Sequence, residues 1–182
     1  SGQAREDMVI DFATDFGVPL PALKASQTGA ALESYLLIVP GEQLAAIYDR
    51  WGARLLEANV RSFLQARAKT NKGIQTTIKE EPELFFPYNN GLSATADEVS
   101  CVRTADGLAI ASISNLQIVN GAQTTGSIHS GLKSAKDQLA QVFVQMKLTV
   151  VSSAKSEEIV PKISEYANTQ NKVNAADFFA NH

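Results

Sequence analysis

The stretch Leu116-Gln117-Ile118-Val119-Asn120-Gly121-Ala122-Gln123-Thr124-Thr125 (LQIVNGAQTT, residues 116–125) joins an apolar run to a polar one through an Asn-Gly pair. Leu116 to Val119 reads as a strand, and residues 122–133 carry helical spacing. Between two strands, Asn-Gly is most economically a type I′ turn, in which both central residues need φ above zero. Here a helix follows, so Asn120-Gly121 marks a strand-turn-helix junction. The first backbone N–H groups of such a helix lack partners and carry the positive end of its dipole, so they can be capped locally or can meet an anion. Local rules leave both readings open.

Working outward, Gln141 to Val151 gives the strictest period-two pattern in the chain, with Val142, Val144, Met146, Leu148 and Val150 on one face. Lys147 falls on the face opposite Met146, toward a pocket or solvent. Ser156-Glu157-Glu158 opens a helix through Tyr166, with Pro161 a kinking guest inside it. Upstream, Leu92 to Arg103 alternates, Asp106-Gly107 signals a hairpin, and Leu108 to Ile113 returns as a strand. Tyr35 to Val39, closed by Pro40-Gly41, predicts a buried strand. Helices are predicted over Glu42 to Tyr48, Leu55 to Ala68, and Gly73 to Glu81, the last stopped by Pro82. Residues 4–16 carry Met8, Ile10, Phe12 and Phe16 at mixed spacing and predict a helix ended by Gly17-Val18-Pro19. Interleaved strands and helices predict an α/β or α+β fold: a mixed sheet with flanking helices and a helical N-terminal portion.

A chain of 182 residues can bury a core of its own, and a hydrophobic content of 45% with mean hydropathy near zero suits an ordinary globular protein. No apolar run approaches the roughly 20 residues that span a bilayer, and the start SGQAREDMV has no secretory core. The single Cys101 excludes an internal disulfide and a multi-cysteine zinc site, and points to the cytoplasm. In its strand pattern it reads as a packed small hydrophobe rather than a nucleophile. Two histidines leave little for a histidine metal centre or a Ser-His-Asp triad, and no metal ligand set is predicted. The opening Ser1-Gly2 reads as a tag scar and the abrupt stop at His182 as a cut, so a piece of a longer protein is expected.

Net charge is −3, from 19 acidic and 16 basic residues, without the overall basic footprint of a duplex-binding protein. Arg61, Arg67, Lys69 and Lys72 cluster, and with no aromatic interleaving after them they read as a solvated helix face.

Three polar clusters stand out. Beside Gly121, Gln123, Thr124 and Thr125 supply side-chain donors, while a Walker lysine is missing and the glycine spacing is wrong for a P-loop. Asn89-Asn90-Gly91 after Pro87 makes a good turn. Asn168, Gln170, Asn171 and Asn174 place four amides within seven residues, a set suited to reading a base edge, a sugar or another backbone. Asn174 also suits a helix cap ahead of Ala175.

Together, FFPYNNGLS (85–93), LQIVNGAQTT (116–125) and ISEYANTQNKVNAADF (163–178) resemble the signature blocks of the AIPR family of abortive infection and phage resistance. Asn59-Val60-Arg61 with Phe63-Leu64 fits the family's start. The resemblance covers residues 34–182 and leaves residues 1–33 as an N-terminal helical segment of unassigned role. Ala122 stands where the family's NGGQT has a second glycine. The block order is also similar, more distantly, to ParB-type and DGQHR-type nucleotide-binding domains, which implies a ParB-like strand-turn-helix core in the C-terminal half. Thr124 stands near the place of the arginine that usually follows the turn in that arrangement.

The resemblance implies a cytoplasmic phage-defence protein that binds a nucleotide or a nucleic-acid end, with nucleotide plus Mg2+ as the cofactor to consider. By the same analogy Asn120, Gly121, Gln123, Thr124 and Thr125 would face phosphates, with Asn168, Gln170 and Asn171 opposite and Asn89, Asn90 and Gly91 alongside. Asp177 would cap the last helix or approach a metal, and Arg61 would neutralise an anion. Two other readings stand beside this one: a nucleotide- or phosphodiester-hydrolysing enzyme, for which Glu157, Glu158 and Glu165 are the available carboxylates, and a protein-interaction module whose amides only brace loops. A protein partner or effector domain is expected in the first and third cases; the oligomeric state is left open.

Overall fold

The computed structural model describes residues 6–25 and 32–169. In chain order its elements are β1 (Val9–Asp11), α1 (Phe12–Phe16), β2 (Leu20–Lys24), β3 (Glu33–Pro40), α2 (Gly41–Trp51), α3 (Ala58–Gln65), α4 (Lys72–Glu80), α5 (Phe85–Tyr88), β4 (Leu92–Ala96), β5 (Glu98–Thr104), β6 (Gly107–Ser114), β7 (Gln117–Asn120), α6 (Ala122–Ser134), α7 (Lys136–Leu139), β8 (Phe143–Val150) and α8 (Ser153–Thr169). Short 3-10 turns over Gly52–Leu55 and Pro82–Leu84 precede α3 and α5. This is the mixed α/β architecture expected from the interleaving of patterns.

Eight strands form one sheet in the order β1-β6-β2-β3-β8-β4-β7, with β5 on the other edge of β6. Among the described strands only β4 and β8 run parallel. β4 and β5 are separated by Asp97 alone, while β7 follows β6 after two residues, and β4 pairs β7 as β5 pairs β6. The four strands are therefore one long two-stranded ribbon, bent in the middle. One half of it extends the sheet beyond β8, and the other half joins β1 and β2, so the sheet must curl on itself. Asn115 pins the bend: at φ +55, a conformation asparagine tolerates better than most residues, its Oδ1 accepts from Met8 N and its Nδ2 donates to Asp7 and Asp97.

Period-two burial explains the central strands. Tyr35, Leu37 and Val39 on β3 and Val144, Met146 and Leu148 on β8 are buried, while Leu36, Ile38, Gln145 and Lys147 face outward, Lys147 toward solvent. On the inner side α2 buries Leu44, Ala45 and Ile47 beside α6, which buries Ile128. Each fully buried Leu or Ile contributes about 1.5–3 kcal/mol. Pro161 lies inside α8, as expected.

Two expectations are corrected. The helix predicted over residues 4–16 is instead β1 followed by the single turn α1. Met8, Ile10 and Phe12 are buried around an exposed Val9, a spacing of two that belongs to a strand; Phe16, four residues after Phe12, lent the stretch a helical look. Cys101 is exposed rather than packed. It lies on the outermost strand, next to a register shift between Ser100 and Cys101, and its sulfur is 3.8 Å from the Tyr35 hydroxyl. Among the described residues no helix is long and apolar enough to cross a membrane.

Candidate functional site

The turn between β7 and α6 is made by Gly121 at φ +98, a conformation that favours glycine. A Cβ there would overlap the Leu92 side chain and lie 3.1 Å from Gly91 O, so the two Asn-Gly turns sit back to back. Gly91, at φ +83, packs against β8, where a Cβ would fall 2.6 Å from Gln145 O. Asn89 closes its own turn by accepting from Gly91 N at 2.8 Å and reaches across to donate to Thr124 Oγ1 at 3.2 Å. The first two polar clusters therefore meet. Thr125 is fully buried and returns its hydroxyl to Gly121 O, so it serves the first turn of α6 from below. Among the described residues no side chain caps that turn.

The described part of the third cluster meets the second through α8. Asn120 Nδ2 donates to Ala167 O at 3.0 Å, and Asn168 Nδ2 donates to Val119 O at 2.8 Å and to Ser164 O at 2.7 Å. Beneath them lies a carboxylate that sequence reasoning did not single out. Glu57 is 4% exposed and caps α3, with Oε2 accepting from Asn59 N and Val60 N, and it also accepts from Ser164 Oγ at 3.3 Å. One buried acid thus ties α3 to α8.

The third side is the connection from α3 to α4. Gln123 Nε2 donates to Ala68 O at 3.0 Å, Asn71 N donates to Ser127 Oγ at 3.0 Å, and Lys69 O lies so close to Gly126 that no Cβ could fit between them. Asn71 then caps α4 through Ile74 N.

Between these walls opens a groove of about 710 Å3. Its floor is Asn120, Gly121, Ala122, Gln123 and Thr124; Asn59, Val60, Phe63, Leu64 and Ile74 form one wall, and Pro161, Lys162, Ser164, Glu165 and Asn168 the other.

A model of the AIPR protein family matches residues 56–182. The chain belongs to the AIPR family. The phage-defence role of abortive infection goes with that membership. The AIPR match begins at Leu56, which forms an isolated parallel bridge to Ile118 of β7, and it takes in all three sides of the groove. Neither a curated protein nor a solved structure matches the chain.

Within the AIPR domain, the residues expected to form a site fall into distinct positions. Asn120, Gly121, Gln123, Thr124 and Asn168 line the groove. Thr125, Asn89 and Gly91 stand behind its floor, and Asn90 is exposed. Arg61 is not on the lining: its Nε donates to Ala53 O and its Nη2 to Leu56 O, both at 3.0 Å, so the guanidinium closes the 3-10 turn before α3. Gln170, Asn171, Asn174, the short helix expected from Ala175 and Asp177 lie outside the described residues. The apolar wall of Val60, Phe63, Leu64, Ile74 and Pro161 was not anticipated as a site, because helical apolar spacing reads as core. Phe63 could have been noticed, since it has no apolar partner one turn further on, where Arg67 stands. Glu165 is the carboxylate on the lining, and Lys162 is 3.9 Å from Glu158 one turn back, an exposed pair of little energetic weight. Among the described residues no three His, Cys, Asp or Glu side chains gather as they would to hold a metal ion.

Proposed function

We propose that the groove binds a nucleotide unit, free or at the end of a nucleic acid, and that this binding serves the AIPR protein as sensor or platform in phage defence. The observation that carries the reading is the opening of the α6 N-terminus, capped by no side chain among the described residues, into a groove with an apolar wall. About 710 Å3 lies within the ordinary range for small-molecule sites. The N–H groups of the first helical turn, without a side-chain partner among the described residues, and the dipole behind them suit a phosphate, and the exposed Phe63 on the wall suits a base. Gln123 and Thr124 stand between the two.

A bracing role is favoured for two of the amides. Asn168 spends both amide protons, and Asn120 one of its two, on backbone carbonyls across the junction of β7 and α8, so they fix the groove's shape. Hydrolysis finds less support, since Glu165 has no second carboxylate beside it on the described lining.

Thermal shift against a panel of nucleoside triphosphates, with and without Mg2+, tests the reading. A rise in melting temperature that shrinks in Gln123→Ala, together with weakened phage protection by that variant, is expected. No shift with any nucleotide and full protection by Gln123→Ala would sink it.

A further inference from the structure

The wall formed by α3 and α4 carries an uneven charge pattern. From Ala58 to Lys79 the chain has five basic residues, Arg61, Arg67, Lys69, Lys72 and Lys79, and no Asp or Glu. Because the whole protein is net negative, this is a local concentration rather than a general property. Arg61 is occupied by carbonyls. The connection from α3 to α4 is held to α6 by its backbone, through Ala68 O, Lys69 O and Asn71 N. That leaves the side chains of Arg67, Lys69 and Lys72 exposed, and none of them enters an ion pair among the described residues. At the groove's lip Phe63 is 52% exposed, and the Arg67 guanidinium sits 4.6 Å from its ring centroid.

Resting on the nucleotide reading of the groove, we infer that its natural occupant is a single strand of nucleic acid, with one base against Phe63 and the adjoining phosphates on Arg67, Lys69 and Lys72. A free nucleotide would need only the groove and would leave these cations without a role. A base held in a duplex cannot reach the Phe63 face, whereas an unpaired base stacks on an aromatic ring whatever its identity. Guanidinium on aromatic beside further cations is the combination that tracks a strand: a stacking platform continued by charge. The aromatic lies inside the basic run, between Arg61 and Arg67, instead of following it, which is why the linear pattern reads as a solvated helix face.

Fluorescence anisotropy of a labelled oligothymidylate of about ten nucleotides, titrated at several salt concentrations, decides the matter beside thermal shifts with thymidine monophosphate. Three phosphate contacts predict that log K falls against log salt with a slope of about −2, and Lys69→Ala with Lys72→Ala flattens it. Phe63→Ala weakens the oligonucleotide by about ten-fold, and Phe63→Trp restores it. If the oligonucleotide binds no tighter than the mononucleotide and the double variant leaves the slope unchanged, the strand inference is overturned while the groove keeps its nucleotide. If neither probe binds, both readings fall.

Discussion

The Asn168 side-chain nitrogen lies 2.8 Å from Val119 O and 2.7 Å from Ser164 O, so one amide uses both its protons on backbone carbonyls of β7 and α8. Removing it takes a donor from two part-buried carbonyls and, among the described residues, leaves Val119 O with only the 3.5 Å bond from Ser164 Oγ. Asn168→Ala is expected to cost about 1–2 kcal/mol in urea unfolding, and Asn168→Asp more than that, because a carboxylate would face two carbonyl oxygens. Stabilities of both variants equal to that of the native protein would show that the amide contributes nothing.

Gly121→Ala combines backbone strain with a collision against Leu92. A loss of about 2 kcal/mol or more is expected. Gly107 also has positive φ, at +111, but nothing lies within 4 Å of a Cβ added there, so Gly107→Ala should cost only the strain, about 1 kcal/mol. Melting temperatures of the two variants give the comparison directly.

Glu57 caps α3 and accepts from Ser164. Glu57→Ala should destabilise by about 1–2 kcal/mol, whereas Glu57→Gln keeps an acceptor oxygen and should lose less. Hydrogen exchange at Asn59 and Val60 should accelerate in the alanine variant and hardly in the glutamine one.

Tyr35 donates to Glu33 at 2.9 Å, and Lys24 Nζ lies 3.2 Å from the same carboxylate. The Tyr35 hydrogen bond, and then that from Lys24, hold the Glu33 carboxyl below its ordinary 4.5. A depressed carboxylate stabilises the fold fully above its unfolded value, and the contribution disappears as pH falls through the folded one. The melting temperature difference between the native protein and Glu33→Gln should therefore be largest near neutrality and shrink below pH 4.5. Burial, followed by the bond to Glu33, pushes the Tyr35 phenol above its ordinary 10.0, so its stabilisation is complete below that pH and fades as alkali carries the protein past it. Tyr35→Phe should lose the alkaline component.

Elements with one strong periodicity were legible in the sequence. β3 and β8 bury alternate residues without exception over their middles, so Tyr35 to Val39 and Val142 to Val150 announced them. β1 was not legible, because three residues of period two ran straight into a five-residue helix that placed Phe16 at the wrong interval. The groove's floor could be read, since Gln123 and Thr124 are polar where the pattern called for nothing polar. Its wall could not: Leu64 is core, and the helical apolar spacing counts Phe63 beside it as core too, although Phe63 is exposed. The roles of Asn120 and Asn168 depend on carbonyls 47 and 49 residues away, and no local spacing records such a partnership. The bent ribbon was equally hidden, because its parts read correctly as separate strands while the continuity across Asp97 lies in the pairing.

The position of β8 between β3 and β4 governs the order of assembly. Among the described strands, the last to be synthesised is the one that joins β3 to β4. Until Val150 has left the ribosome, β1, β2 and β3 can gather on one half of the ribbon, and the other half has no neighbour on its β8 side. Closure waits for a parallel pairing across roughly fifty residues, a slow step for any chain. In that interval the open flanks of β3 and β4 are the nascent protein's most aggregation-prone surface.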